Sequence, residues 1–150
     1  MAREPFQVVI FPFRRTATAW EYGIFRRRLE DYWQGIAGGG EAGESALDAA
    51  RREAFEEGNI PPTSPYRMLT TTTFVPVYHF KAVEHWSKDI YVIPVYYFGV
   101  DATGLDITPS HEHSQYQWVD FEAGRVALKW DSDRTALWEL DQVLTSGSTS

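Results

Sequence analysis

The chain has 150 residues, 43% of them hydrophobic and 15% aromatic, enough to bury one sizeable core, and is read as a single domain over 1–150 with one active site. A formal net charge of −7 and a pI of about 5.0 argue against a nucleic-acid partner, because wrapping a phosphate backbone needs a basic surface. With no cysteine in the chain, disulfides, zinc–thiolate sites and thiol nucleophiles are excluded, which leaves carboxylates, histidines and hydroxyls for chemistry.

In chain order, Met1 to Phe13 lacks the long apolar run and small-residue cleavage site of a signal peptide. Phe6 to Phe13 and Trp20 to Arg26 read as two strands joined through a polar turn at Arg14 to Thr18, a hairpin. Three consecutive glycines, Gly38 to Gly40, mark a loop whose backbone adopts conformations that side chains forbid or approaches something closely. Ser45 with Asp48 resembles a capping box, and Ala46 to Glu57 is rich in helix formers with Leu47, Ala50 and Ala54 at core-facing spacing. Pro61, Pro62 and Pro65 forbid continuation of that helix.

Thr70 to Phe80 and Tyr91 to Val100 then read as strands, with His85 to Asp89 and Ala102 to Pro109 as polar connections. Gln115 to Phe121 reads as a further short strand. Asp131 to Leu144 carries Leu137, Leu140 and Leu144 at helical spacing, and residues 145–150 read as a frayed tail. This order of elements gives an α+β domain. The apolar stretch Ile90 to Val100 is broken by Pro94 and falls far short of a membrane span, so a cytoplasmic protein with no membrane partner is expected.

The chemistry concentrates in Gly38 to Ile60. On a helix, Glu53, Glu56 and Glu57 sit three and four residues apart, so their carboxylates crowd one face. Clustered hard oxygen donors suit Mg²⁺ or Mn²⁺, whereas a solvated acidic face paired with Arg51 and Arg52 is the plainer alternative. The spacing decides between them. Gly38, Glu44, Arg52, Glu53, Ala54, Glu56 and Glu57 fall in the pattern glycine, five residues, glutamate, seven residues, arginine–glutamate–apolar–any–glutamate–glutamate. Six fixed positions of this kind coincide by chance about once in ten million registers.

That segment resembles the box of the Nudix hydrolases. One position departs from the pattern: Asn59 stands where glycine is expected, and asparagine tolerates the left-handed backbone that ends a helix. The resemblance implies an α/β/α sandwich with a mixed sheet between helices and the box as loop–helix–loop. It implies that Glu53, Glu56 and Glu57 ligate the divalent cation, with a backbone carbonyl near Gly38 as a further ligand. It also implies that Arg52 orients the glutamates, partly through Glu44. A glutamate outside the box serves many members as metal ligand or base, and Glu112, in Ser110-His111-Glu112-His113, is the candidate here; zinc at His111 and His113 is disfavoured.

Asp31 to Gln34, His111 to His113 with Tyr116 to Val119, and Lys129 to Asp131 with Arg134 to Leu140 look like the branch that cuts dihydroneopterin triphosphate, often labelled dATP pyrophosphohydrolase. This implies a triphosphate on a flat heterocycle, a nucleotide-like small molecule, cleaved with release of pyrophosphate. Arg26 and Arg28 are candidates for phosphate contacts from the run Arg26 to Arg28, of which strand alternation turns only one inward. Trp33, Tyr78, Phe80 and Trp130 are candidates for stacking, against the commoner fate of core packing. Two other readings stand beside this one: a dinucleoside polyphosphate or nucleotide-sugar hydrolase, and a non-catalytic nucleotide-sensing module. A homodimer would be ordinary for a small enzyme, and no residue pattern marks its interface.

Overall fold

The computed structural model describes residues 3–29, 31–110 and 113–147. Among the described residues, seven strands form one mixed sheet: β1 (Arg3–Arg15), β2 (Trp20–Arg27), β3 (Trp33–Gln34), β4 (Ile36–Glu41), β5 (Tyr66–Pro76), β6 (Val92–Asp101) and β7 (His113–Val119). Three α-helices, α1 (Ala46–Gly58), α2 (Phe121–Ala127) and α3 (Asp131–Thr145), pack around it. The order β3-β2-β1-β6-β5 runs through the sheet, with β4 also paired to β1 and β7 to β2. The pairs β1–β2, β1–β4, β2–β7 and β5–β6 are antiparallel and β1–β6 is parallel.

β1 is central because its apolar run serves two cores at once. Val8 and Ile10 point to one face and pack with Phe25, Ile36 and Phe98 against Ala49, Ala50 and Ala54 of α1. Val9, Phe11 and Phe13 point to the other, packing with Tyr22, Ile24 and Tyr97 against Ala136, Leu137 and Leu140 of α3. A strand buried on both faces loses polar alternation and reads as a continuous hydrophobic run. Among the described residues, no helix is long and apolar enough to cross a membrane.

The hairpin expected at the N-terminus forms, with Phe13 opposite Tyr22. The capping box also forms: Asp48 N–H donates to Ser45 Oγ at 3.1 Å and Ser45 N–H to the Asp48 carboxylate at 3.3 Å. Asn59 closes α1 at φ 56°, its N–H donating to the Phe55 carbonyl at 2.9 Å. This is the left-handed closure for which asparagine is the usual substitute for glycine.

Several boundaries differ from the sequence expectation. Gly38 to Gly40 is strand, not loop, with Gly38 and Gly39 paired to Val8 and Gln7 of β1. The expected close approach is nevertheless present, because an added Cβ would lie 2.1 Å from the Glu53 carboxyl carbon at Gly38 and 1.7 Å from Arg3 Nε at Gly39. The strand read as Thr70 to Phe80 begins earlier, at Tyr66, and stops at Pro76. Two 3₁₀ turns, Val77–His79 and Lys81–His85, follow it. A register shift between Met68 and Thr72 leaves backbone N–H groups unpaired in the ladder. Glu139 of α3 accepts two of them, from Thr70 at 2.6 Å and Thr71 at 2.8 Å. Phe121 opens α2 instead of ending β7; Asp120 caps that helix by accepting from Ala123 N–H at 2.8 Å.

Candidate active site

Arg52 organises the box. Its Nε and Nη2 donate to the two oxygens of Glu44 at 2.8 and 3.0 Å, and Nη2 also donates to the Gly39 carbonyl at 2.8 Å. Its Nη1 reaches Glu53 Oε1 at 2.9 Å and Glu56 Oε1 at 2.8 Å. A planar fork of five donors is what allows one side chain to fix three carboxylates and a strand. These bonds raise the pKa of Arg52 further and, led by the Arg52 hydrogen bond, lower that of Glu44. Glu57 accepts from the Ser110 hydroxyl, and Ser110 N–H donates to the Glu57 carbonyl at 3.1 Å.

Glu53 lies in the hollow above Gly38, where any side chain would collide with it. Burial pushes its pKa up to about 7, opposed by Arg52 and reinforced by the negative charge of Glu56 and Glu57. Around it opens a polar cavity of about 390 Å³ whose walls include Arg3, Arg27, Gly38, Glu53, Glu56 and Glu57. Arg3 lies along the glycine strand; its guanidinium donates to Gln7 Oε1 and sits 5.3 Å from the Phe80 ring centroid. Its Nε is buried without a partner. The first 3₁₀ segments are pinned to the same place, since Trp86 Nε1 donates to the Arg3 carbonyl at 2.7 Å.

Among the described residues, no three carboxylates or imidazoles converge on one point as a ready cation cage. Arg52 holds Glu53 and Glu56, and Ser110 holds Glu57. The donor set still fits a hard divalent cation. Glu53, Glu56 and Glu57 face one cleft, and the burial that raises the pKa of Glu53 is a penalty on its ionised form that a cation would offset. Glu112 and His111 lie outside the described residues, as does the side chain of His113.

A second cavity, also about 390 Å³, adjoins the first through Gln7, Ala37 and Phe80. Tyr32, Trp130, Phe74 and Phe80 give it aromatic walls, and Gln34, Tyr97 and Asp133 give it polar ones. Tyr32 and Trp130 meet edge to face at 5.7 Å between centroids. Asp133 is 3% exposed; Tyr97 donates to its Oδ1 at 2.8 Å and is 2.8 Å from Ser132 Oγ. Burial pushes the Asp133 carboxyl up to about 6. Gln34 is 6% exposed, and its Nε2 has no hydrogen-bond partner, a state that costs about 1–3 kcal/mol.

The substrate contacts expected from the sequence divide accordingly. Phe80 and Trp130 line the cavities. Trp33 does not: in the two-residue β3 its neighbour Gln34 turns toward the cavity and Trp33 packs into the α3-side core. Tyr78 is 77% exposed, its ring tilted against His79 in a 3₁₀ turn. Arg26 pairs with Asp31 and donates to Gln115 at 2.9 Å, and Arg28 is exposed in the turn after β2. Strand alternation sends Arg27 into the polar cleft instead. In the sequence Gln34 enters only as part of a resemblance, and no site role is assigned there to Arg3, Gln34 or Asp133. A polar residue repeated at Arg3 and Gln7 on an apolar strand was the signal available for the first.

A mixed sheet sandwiched between helices, with carboxylates on the helix that follows a glycine strand, defines a Nudix-type fold. The NUDIX domain family matches residues 7–138, and the chain belongs to that family and is a hydrolase. A protein assigned as a NUDIX hydrolase from Listeria monocytogenes is 37% identical, with a TM-score of 0.87 over 96% of this chain and 97% of that one. The dihydroneopterin triphosphate pyrophosphohydrolase of E. coli is 22% identical, with a TM-score of 0.73 over 94% and 97%. An Ap4A hydrolase of C. elegans is 18% identical, with a TM-score of 0.74 over 95% and 99%. The last two likenesses are of fold. No curated protein sequence matches the chain.

Proposed function

We propose that the protein hydrolyses a nucleoside-triphosphate-like substrate, a triphosphate carried on a flat heterocycle, with water attacking phosphorus and pyrophosphate released. The observation that carries this reading is the shared wall: a carboxylate cleft and an aromatic cavity meet at Phe80, one suited to charged phosphates and the other to a ring.

Mg²⁺ or Mn²⁺ is the cofactor this reading assigns, held by Glu53, Glu56 and Glu57 with the Gly38 backbone. When bound, it supplies neutralisation of phosphate charge and a more acidic water. Arg52 and Glu44 keep the glutamates in orientation, and Arg3 and Arg27 offer forked donors to phosphate oxygens from the walls of the same cleft. Glu112 is assigned as the further ligand or base. What supports it is the chain two residues earlier, tied to Glu57 through both the hydroxyl and the N–H of Ser110.

A product screen tests the proposal: purified protein with Mg²⁺ or Mn²⁺ is offered dihydroneopterin triphosphate, nucleoside triphosphates, dinucleoside polyphosphates and nucleotide sugars. Pyrophosphate from a triphosphate is the expected result. A mononucleotide plus a second organic phosphate would replace this reading with the dinucleoside polyphosphate or nucleotide-sugar one, and no product with any substrate would favour a sensing module.

A further inference from the structure

The sheet ends on an open edge. In the order β3-β2-β1-β6-β5, β5 is outermost and, among the described residues, pairs only with β6. Val77 N–H donates to the Tyr91 carbonyl at 3.0 Å, which sets the phase of the antiparallel ladder. Val75–Ile93 and Thr73–Val95 are then the hydrogen-bonded pairs, and Pro76–Val92, Phe74–Pro94 and Thr72–Tyr96 are the pairs between them. Both prolines fall at these intervening positions, where the pairing asks for no N–H. The backbone N–H and C=O groups of Thr72 and Phe74 therefore point outward, away from β6. Glu139 takes the N–H groups of Thr70 and Thr71, so the second half of the strand is the part left open. Natural edge strands are usually short or carry charges that deter a further strand. β5 runs for eleven residues, and Met68 to Pro76 contains no charged side chain.

We propose that this edge is a homodimer interface, at which β5 pairs antiparallel with β5 of a second copy about a two-fold axis through Thr73. Antiparallel pairing of a strand with itself is the isologous contact that a two-fold axis requires. With Thr73 on the axis, Thr72 of each copy lies opposite Phe74 of the other, and the N–H and C=O groups of both residues are all matched. Moving the axis to Phe74 sets the Thr72 carbonyl against Pro76, which has no N–H. Two copies that each carry a net charge of −7 approach most readily along an uncharged surface, and Met68 to Pro76 is one. Backbone bonds alone do not make a stable dimer, whose interface buries on the order of 1,000 Å². Beside the edge, the exposed side chains of Met68, Phe74 and Val92 supply apolar surface. By register all three lie on the α1 side of the sheet, where α1 packs mainly over β4 and β1. Thr73, Phe74 and Val75 also line the aromatic cavity, so the second copy stands beside the site. This interface does not depend on which anhydride bond is cut.

Sedimentation velocity of the whole protein reads the assembly, and cysteine cross-linking reads the register. The parent protein sediments as a dimer at micromolar concentration. Thr72→Lys, at an exposed position, keeps native circular dichroism. It sets two like charges diagonally across the axis, with Cα atoms roughly 7 Å apart, and weakens association on the order of tenfold or more. Because the chain has no cysteine, a single introduced one reports on its own counterpart. Thr73→Cys forms a disulfide-linked dimer on mild oxidation, since facing residues of a non-hydrogen-bonded pair stand about 4.5 Å apart at Cα, within the range of a disulfide. Val75→Cys, on the same face, lies four positions along from its counterpart, roughly 14 Å away, and stays unlinked. A monomeric parent, unchanged association of the folded Thr72→Lys protein, or a Thr73→Cys protein that links no better than Val75→Cys overturns the interface.

Discussion

The two cavities have nearly the same volume and share Gln7, Ala37 and Phe80, yet their chemistry is opposite. In the polar cleft most of the carboxylates are held by a cation: Arg52 pairs with Glu44, Glu53 and Glu56, and Glu57 takes the Ser110 hydroxyl. In the aromatic cavity the polar groups are enclosed and thinly partnered, with Asp133 resting on Tyr97 and Gln34 Nε2 on nothing. The cleft is thus built to hold a fixed charge pattern and the cavity to wait for a ligand to complete it. On the proposed function, a change in the first should act on the rate and a change in the second on which molecule is accepted.

The largest expected effect tests that division on the side of the cleft. Glu57→Gln keeps volume and the Ser110 contact but removes a ligand charge. The loss of several kcal/mol of charge stabilisation corresponds to roughly a 10³-fold fall in kcat, with native circular dichroism and thermal midpoint. Near-normal turnover by the folded variant in a pyrophosphate-release assay would remove Glu57 from the metal site.

The aromatic cavity has its own electrostatic signature. Asp133 has its pKa raised by burial from 3.8 to about 6. A raised acid contributes stability that is present below its unfolded pKa and is lost as pH rises through the folded one. Relative to Asp133→Asn, which does not titrate, the parent should therefore lose roughly 2 kcal/mol between pH 4 and pH 7. Urea denaturation of both proteins at the two pH values measures this difference, and titrations elsewhere in the chain cancel in it. A difference that does not change with pH would mean that Asp133 is ionised without penalty.

Arg52→Lys comes next. Lysine keeps the charge but is a point donor that cannot bridge Glu44, Gly39, Glu53 and Glu56 at once. A loss of about 10–100-fold in kcat or in metal affinity is expected, read by steady-state kinetics and by titration with Mn²⁺. A loss confined to KM for substrate would point to phosphate binding as the role of Arg52.

How much of this was legible in the sequence follows the same division. The box fixes residue type and spacing along one strand and one helix, so Gly38, Glu44 and Arg52 to Glu57 could be read from a single stretch, as could the capping box and the Asn59 closure. The aromatic cavity draws on β3, β5 and the turn after it, β6 and the start of α3, elements that meet only in the fold. Trp33 and Gln34 differ by one position, and strand alternation sends one to the core and the other to the cavity. The composition of that segment could not set the phase. The glycine strand was misread for a related reason: three glycines signal close approach, but whether the chain turns there or pairs with β1 depends on Arg3, Phe6 and Glu53, which come from far away in sequence.

The smallest effect separates the two exposed aromatic candidates. Trp130 lines the cavity and meets Tyr32 at its wall, whereas Tyr78 is exposed, with its ring against His79. Stacking on an aromatic side chain contributes about 1–3 kcal/mol per base, and Trp130 is itself 46% exposed, which favours the lower end. Trp130→Ala should raise KM about fivefold with little change in kcat, because the ring is held equally before and during phosphorus chemistry. Tyr78→Ala should stay within a factor of about two, as surface substitutions generally do. Steady-state kinetics on the best substrate decides the matter. An equal rise in KM for both variants would mean that the 3₁₀ turn also closes over the ring, and a fall in kcat for Trp130→Ala would mean that the cavity positions the phosphates as well as choosing the ring.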